Sequence, residues 1–291
     1  MPKYMRKRAY WFIYPMLTIA FIGIAKYFWV NFNSILLAFS IESNGEQVYT
    51  LDNFRRLFGE FAAPGSGMWQ YLKNTLAFFL MYIVKTLTSF CVAYFLYRRI
   101  WGHKALSVIF YLPCLVSPII LVNVWKKMLE SSGVVAMIAE MLGIEYANPL
   151  TSATTAMTTI LIYSFWGGFG VSLLVFVGAM NRIPGEVLEA ARIDGCSTAQ
   201  EFFKIILPLA WETLSTMLLL NLMAIFTASG PILYFTRGNF ETKTLSFYIF
   251  METYNGTYNY PTAVGMFFTV VALPIVVLGR WLMNKVSEVE Y

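Results

Sequence analysis

Charge is what this sequence has least of. Asp, Glu, Lys and Arg make up 13% of its 291 residues, about half the share of an ordinary soluble domain. Histidine occurs once, as His103, beside Lys104 and close to Arg98 and Arg99, which is the setting of a solvated loop residue rather than a ligand. The three cysteines, Cys91, Cys114 and Cys196, are scattered, form no paired CxxC and suggest neither a disulfide framework nor a thiolate metal site. There is no low-complexity tract and no strong internal repeat. A Gly-x-x-x-x-Gly-Lys phosphate loop is absent, down to the Gly-Lys dipeptide itself. With so few ionisable groups, a membrane enzyme has little from which to build a catalytic cluster.

What is present in excess is apolar. Hydrophobic residues make up 58% of the chain and the mean hydropathy is +0.61, more apolar surface than one compact core can hide. The bilayer is its natural solvent. Apolar runs fall at about 9–30, 75–97, 105–125, 153–179, 213–236 and 262–282. Six spans of about 20 residues use about 120 residues and leave no room for a soluble catalytic domain, so the expectation is an all-α integral membrane protein forming one domain over 1–291. The run at 11–30 is too long for a signal-peptide core and should be retained. Turn chemistry separates the runs: Asn44-Gly45 and Pro64-Gly65-Ser66-Gly67 within 40–74, a short amphipathic stretch ending near Asn148-Pro149, and Gly, Asn and Tyr in 237–261. Asn255-Gly256-Thr257 reads as an ordinary loop.

The sparse cations orient the bundle. With the N-terminus inside, the inner segments carry Lys3, Arg6, Lys7, Arg8, Arg98, Arg99, Lys104, Arg182, Arg192, Lys204, Arg280 and Lys285. The much longer outer loops carry only Arg55, Arg56, Lys73, Lys126, Lys127, Arg237 and Lys243. Both termini are therefore expected on the cytoplasmic side, and the net charge of +5 needs no nucleic acid to explain it.

Two places hold charge for another reason. Residues 180–208 parse into two short helices: Pro184 suits a first turn, Gly195 a left-handed stop, and Ser197 with Gln200 a capping box, while Pro208 interrupts or kinks the start of the fifth span. Ala190 and Ala191 permit close approach of another backbone, Glu189, Arg192 and Asp194 add charge, and Leu188, Ile193, Phe202 and Phe203 supply apolar anchors. Such a segment either rests on headgroups or forms a knob for a protein partner. The second place is Lys85, near the middle of the second run, with Tyr82, Thr88 and Ser89 on its helical face. No acidic residue lies within the six runs as drawn, so its partner is a backbone carbonyl, a carboxylate of a sister subunit, or an anionic substrate. Lys26 lies near the outer end of the first run, where snorkelling suffices. Asn221 and Ser229 share one face of the fifth run, and Trp166 stands in the fourth amid the packing glycines Gly167, Gly168 and Gly170.

The pattern Glu189-Ala190-Ala191, Gly195, Ile205, Leu207-Pro208, with Asp194 before the glycine, resembles the EAA loop of carbohydrate-type ABC importer permeases, similar to those of the maltose and glycerol-phosphate systems. Leu51-Asp52-Asn53-Phe54-Arg55-Arg56-Leu57-Phe58 resembles a segment that follows their first span. Cys196 replaces a commoner alanine, and Ala210-Trp211-Glu212 a frequent proline. The resemblance implies a six-helix permease subunit whose cytoplasmic coupling helix, between the fourth and fifth spans, fits a groove on a separate ATPase, with Glu189, Ala190, Ala191, Arg192, Asp194, Gly195, Ile205, Leu207 and Pro208 as the coupling residues. It implies ATP and Mg in partner ATPases and no cofactor in this chain. It also implies a distinct second permease, two ATPase subunits, an extracytoplasmic solute-binding protein docking on loops 31–74 and 237–261, and a bacterial inner-membrane location. The short N-terminal segment and acidic tail 286–291 suit the glycerol-phosphate-like half. Lys85, Ser89, Trp166, Asn221 and Ser229 are the candidate pathway residues, for a sugar, oligosaccharide or sugar derivative. The alternative is an ion-coupled secondary transporter: the lack of intramembrane acids argues against proton coupling and less firmly against sodium.

Overall fold

A bilayer leaves the backbone no partner but itself, so long apolar stretches become helices. The computed structural model describes residues 3–43 and 46–285, with side chains from Ile13 onward. The Asn44-Gly45 turn and the acidic tail lie outside the described residues. The elements in order are α1 (Lys3–Ala38), β1 (Ser40–Ser43), β2 (Glu46–Tyr49), α2 (Asp52–Ala62), α3 (Met68–Tyr97), α4 (His103–Leu115), α5 (Pro118–Leu129), α6 (Val134–Met141), α7 (Ala156–Gly167) and α8 (Phe169–Met180). There follow α9 (Gly185–Ile193), α10 (Thr198–Glu201), a π-turn (Phe202–Ile206), α11 (Leu207–Leu209), α12 (Trp211–Met223), α13 (Ile232–Phe235), α14 (Leu245–Tyr254) and α15 (Asn259–Met283). Among the described residues four helices are long and apolar enough to cross a membrane: Ile13–Ala38, Met68–Tyr97, Ala156–Met180 and Asn259–Met283. Six result when each of two bent pairs is taken as one span.

The first of those bends falls inside the third run drawn as continuous; the second lies just before the fifth run, where Pro208 is expected to interrupt or kink the chain. The third run breaks at Ser117-Pro118, where the axis turns by 110°. Pro118 lacks an N–H and excludes the preceding residue from helical ψ, and Val116 and Ser117 are accordingly extended, at ψ 142° and 131°. The fifth span bends by 70° at Ala210, just after Pro208. Its helix α12 then ends at Met223, well short of 236. Turns carry the chain to Gly230, at φ +51°, so Asn221 and Ser229 do not share a helical face. The first helix continues to Ala38, past the drawn end at 30. Lys26 therefore has about 18 Å of helix beyond it at 1.5 Å per residue, and is not near the end. The loop 237–261 contains α14 and the start of α15.

The single domain drawn over 1–291 divides into two compact units, one formed by residues up to Pro64 with Ile249–Phe268, the other by Gly65–Tyr248 with the segment from Thr269. In the first, residues 13–32 of α1 are exposed on every side, as befits a helix covered by lipid or another chain. Asn53 of the Asn-Phe segment is buried and donates to the carbonyls of Ala38 (3.1 Å) and Ser40 (2.8 Å), tying α2 to the end of α1. Asn259 also donates to the Ser40 carbonyl, at 2.7 Å. Tyr260 donates to Glu60 at 2.6 Å, and Arg56 lies 4.0 Å over its ring.

In the second unit, α3 and α8 form the most extensive helix pair among the described residues. Phe90, Tyr94, Leu173, Phe176 and Met180 fill its centre, with Phe90 edge-on to Phe176 at 5.2 Å between ring centres. Gly170 makes a second contact possible: a Cβ there would overlap the Phe110 carbonyl and come within 2.7 Å of Cys114 Sγ, so α4 and α8 approach through a missing side chain. Gly178, eight residues on, has nothing within 4 Å of that position. Gly170→Ala should lower stability by about 1–3 kcal/mol through overpacking, read as a lower melting temperature of the detergent-purified protein. Gly178→Ala should be neutral or stabilising by about 0.5–1 kcal/mol; equal melting of the two variants would refute the close-approach role.

Candidate functional site

The segment expected to couple to an ATPase begins on Ile183, which is buried, and Pro184, whose extended backbone caps α9; the proline stands just before the helix rather than in its first turn. Leu188 is only 6% exposed and joins the α3–α8 core. The opposite side of α9 is open: Glu189, Ala190, Arg192 and Asp194 are exposed, Ala191 is half-buried, and Ile193 is 87% exposed. An apolar side chain that open, between two charges, is available for contact. The four expected anchors therefore divide. Leu188 and the half-buried Phe202 hold the segment to its own chain, while Ile193 and Phe203 face outward.

Gly195 ends α9 as its position in the sequence suggests. Its φ is +77°; Cys196 N–H donates to the Ala191 carbonyl at 2.9 Å and Gly195 N–H to that of Arg192 at 3.1 Å, the paired bonds of a Schellman stop. No atom lies within 4 Å of a Cβ placed there, so the demand for glycine is conformational, not steric. Ser197 and Gln200 then form the expected capping box, at 3.3 and 2.9 Å. Ile205 and Leu207 are half-buried against the core. Pro208 sits in α11, directly after the π-turn, in which the Leu207 N–H reaches back five residues to the Phe202 carbonyl.

Beneath this segment lies a contact that no local pattern announces. Glu201 is 2% exposed, and its Oε1 accepts from Tyr94 OH at 3.0 Å and lies 3.7 Å from Arg98 Nε. Arg98 also donates to Thr198 Oγ1 at 2.9 Å, and the Tyr94 ring packs on Phe202 at 5.1 Å. Tyr94 and Glu201 are 107 positions apart, so spacing rules cannot pair them. The only signal was an acid, Glu201, set between Gln200 and an aromatic pair.

A second feature lies where the third and fifth runs break. A cavity of about 380 Å³ is lined by Tyr82 and Lys85 of α3, Pro113 and Pro118 flanking the α4–α5 bend, the α7 end with its two glycines, and Gly230, Pro231 and Tyr234. Of the five candidate pathway residues only Lys85 lines it. Ser89 is fully buried. Asn221 donates to Thr86 Oγ1 at 2.7 Å and to the Tyr82 carbonyl at 3.4 Å, bridging α12 to α3. Trp166 packs on Trp125 at 5.8 Å, and Ser229 lies in the turn beside Gly230. The two prolines Pro113 and Pro118, five positions apart in one apolar run, were the readable sign of this cavity.

Comparison with known proteins places this geometry. The family model described as binding-protein-dependent transport system inner membrane component matches residues 72–288. The chain belongs to this family. The permease is 29% identical to a probable ABC transporter permease of Bacillus subtilis over 70% of its own length and 67% of the relative's. It is 24% identical to a multiple sugar-binding transport system permease of Streptococcus mutans, over 67% and 68%, and 24% identical to an alpha-glucoside transport system permease of Rhizobium meliloti, over 80% and 70%. Its fold is shared with a bacterial ABC transporter involved in the import of alginate, at TM-score 0.83 and 23% identity, covering 98% of the permease and 99% of that chain. That transporter has also been solved with a pentasaccharide-bound periplasmic protein. The carbohydrate-type ABC permease resemblance read from the EAA pattern is borne out.

The clasp under the coupling segment has a direct test. Arg98→Met leaves the buried Glu201 carboxylate without its cation, a change that destabilises by about 3–5 kcal/mol when a buried pair is broken, less here because Arg98 is partly solvated. Backbone hydrogen exchange at 198–206 should accelerate. Arg98→Met combined with Glu201→Met should restore slow exchange, and additive losses in the double variant would rule out the pairing.

Proposed function

We propose that this permease is the pore-forming half of an ATP-driven importer for a sugar, an oligosaccharide or a sugar derivative, and that α9 is its docking knob for a cytoplasmic ATPase. The observation that carries the reading is the division of the coupling segment: Leu188, Ile206 and Glu201 sink into the chain's own core while Glu189, Ala190, Arg192, Ile193 and Asp194 stay open. An amphipathic loop lying on headgroups would turn its apolar side chains to the lipid; here most of them face α3 and α8, and of the two left out, Ile193 and Phe203, the first is flanked by charge. Sugar as the cargo is supported by the relatives named for multiple-sugar and alpha-glucoside transport.

The same reading assigns ATP and Mg to two ATPase subunits, pairs this chain with a distinct second permease, and delivers solute from an extracytoplasmic binding protein to the segments within 31–74 and 237–261. It sets both termini on the cytoplasmic side of the inner membrane, in keeping with the cation distribution. In this scheme ATPase closure acts on α9, and the Schellman turn at Gly195 fixes the angle at which the knob meets its groove. An ion-coupled carrier has no use for such a face.

Gly195→Val forces a β-branched residue into positive φ, and Ile193→Asp puts a charge where an apolar contact is expected. Either should leave membrane insertion intact and reduce ATP-driven uptake in vesicles by roughly tenfold or more, for an apolar interface contact of about 1.4 kcal/mol or above. Co-purification of the ATPase should weaken with Ile193→Asp. Unchanged uptake and unchanged recruitment in both variants would remove α9 as the coupling element.

A further inference from the structure

Lys85 is the one cation that lines the cavity. Its Nζ lies 4.8 Å from the Tyr82 ring centre and 2.7 Å from where a Cβ on Gly168 would stand. The ammonium is thus tucked between α3 and the α7–α8 junction, in space that exists because residue 168 has no side chain. Among the described residues no carboxylate lies within 4.0 Å of it, and it makes no hydrogen bond. A cation in the membrane interior is stable only with a counter-charge or with water and dipoles around it. The surrounding wall offers none of the first: it consists of tyrosines, prolines, glycines, Ser164 and aliphatic side chains. Ser164 donates its hydroxyl to the Ile160 carbonyl at 2.7 Å.

Other features of the same space favour an anion. The bend at Ser117-Pro118 makes α5 a separate 12-residue helix, and its first residues Pro118, Leu121 and Val122 line the cavity. The positive end of that helix's dipole therefore lies at the cavity wall, although Pro118 has no N–H to offer and the Leu121 N–H is taken by the Ser117 carbonyl at 3.0 Å. Tyr82, Tyr163 and Tyr234 also line it, and among the described residues their hydroxyls have no hydrogen-bond partner. Aromatic faces with free hydroxyls suit a ring bearing hydroxyl groups. A volume of about 380 Å³ lies within the range of small-molecule sites. None of these lining residues is acidic, so the counter-charge comes from outside them.

Resting on the sugar-import reading above, we propose that the imported solute carries an acidic group, a carboxylate or a phosphate ester, and that Lys85 binds it during passage. Gly168 is then the residue that gives the ammonium its place, and the α5 N-terminus a second attraction for the same charge. A neutral sugar that displaced water from the cavity would offer Lys85 hydroxyl oxygens but no counter-charge.

The test uses the complete transporter, with both permeases, the ATPases and the binding protein, in proteoliposomes. It is offered a labelled neutral disaccharide, a uronate-bearing disaccharide and a phosphorylated disaccharide. Uptake of an acidic sugar above the neutral one is expected, and which of the two is taken up distinguishes the carboxylate from the phosphate. Lys85→Met should lower that uptake about tenfold to a hundredfold, the weight of a hydrogen bond to a charged group, and Lys85→Arg should recover most of it. Gly168→Ala, which displaces the ammonium but keeps the charge, should raise KM for the acidic sugar with assembly unchanged. Transport of the neutral disaccharide alone, insensitive to Lys85→Met, would overturn the acidic-solute proposal and leave the sugar reading standing. Loss of subunit assembly in Lys85→Met, with neutral uptake lost equally, would assign Lys85 to a carboxylate of the second permease and overturn it as well. Uptake of none of the three sugars would instead defeat the sugar reading, and the inference with it.

Discussion

The burial of Glu201 against Tyr94 and Arg98 is the contact on which the position of the coupling segment depends. Apolar packing alone, through Leu188 and Ile206, would hold the segment near the core but would tolerate sliding, because dispersion and hydrophobic burial have no direction. A carboxylate nearly closed to solvent has one acceptable place, where the tyrosine hydroxyl and the guanidinium meet it. The chain thus spends one of its scarce acids beneath the exposed side of α9, and the acids on that side, Glu189 and Asp194, remain exposed. The two uses of charge are a few residues apart and physically opposite: one sets register, the other stays exposed.

The helix that receives this clasp also carries Lys85. Helix α3 contains neither glycine nor proline over Met68–Tyr97, whereas other spans are interrupted: the third at Ser117-Pro118, the fourth at Gly167-Gly168, the fifth at Ala210 after Pro208. Sharp kinks in helices arise at such residues, so α3 is the stiff member of the second unit and its neighbours supply the bends. Lys85 and Tyr94 are about 14 Å apart along it at 1.5 Å per residue and point to opposite sides, one toward the cavity and one toward the coupling segment. The interruptions are not damage to the spans. They open the volume beside Lys85, since a continuous third helix would have no free N-terminus to offer there and a continuous fifth would carry no Gly230-Pro231 turn along its wall.

Much of this was legible in the sequence where the rule is local. The Schellman stop at Gly195 and the Ser197–Gln200 capping box depend on neighbours a few positions apart, and both form as their residue types dictate. The membrane character and the positions of the apolar runs follow from composition averaged over about 20 residues. What escaped is of two kinds. Pro113, Pro118 and Pro231 were present as breakers, yet the apolar average ran through them, because hydropathy is blind to hydrogen bonding and a proline is nearly neutral on it. Asn221 escaped for the second reason: its partner Thr86 lies on another helix, as Glu201's partners lie on α3, and no periodicity within one segment encodes a pairing across more than a hundred positions. Trp166 shows the same limit from the other side, a residue of suitable chemistry whose direction is decided by Trp125.

The scarcity of charge takes on a sharper meaning through these positions. In a soluble domain an ion pair at the surface contributes little, about 0–1 kcal/mol, because water competes for both partners. In a chain bathed in hydrocarbon every buried charge has to be matched, so each one that persists marks a place where something specific answers it. For Glu201 the answer is within the chain, in Arg98 and Tyr94. For Asn53, polar rather than charged, it is the end of α1. Lys85 has a prepared recess at Gly168, an aromatic face at Tyr82 and a helix N-terminus across the cavity, but no anion among the described residues. The recess accommodates the cation closely, yet none of the residues lining it supplies the complementary charge.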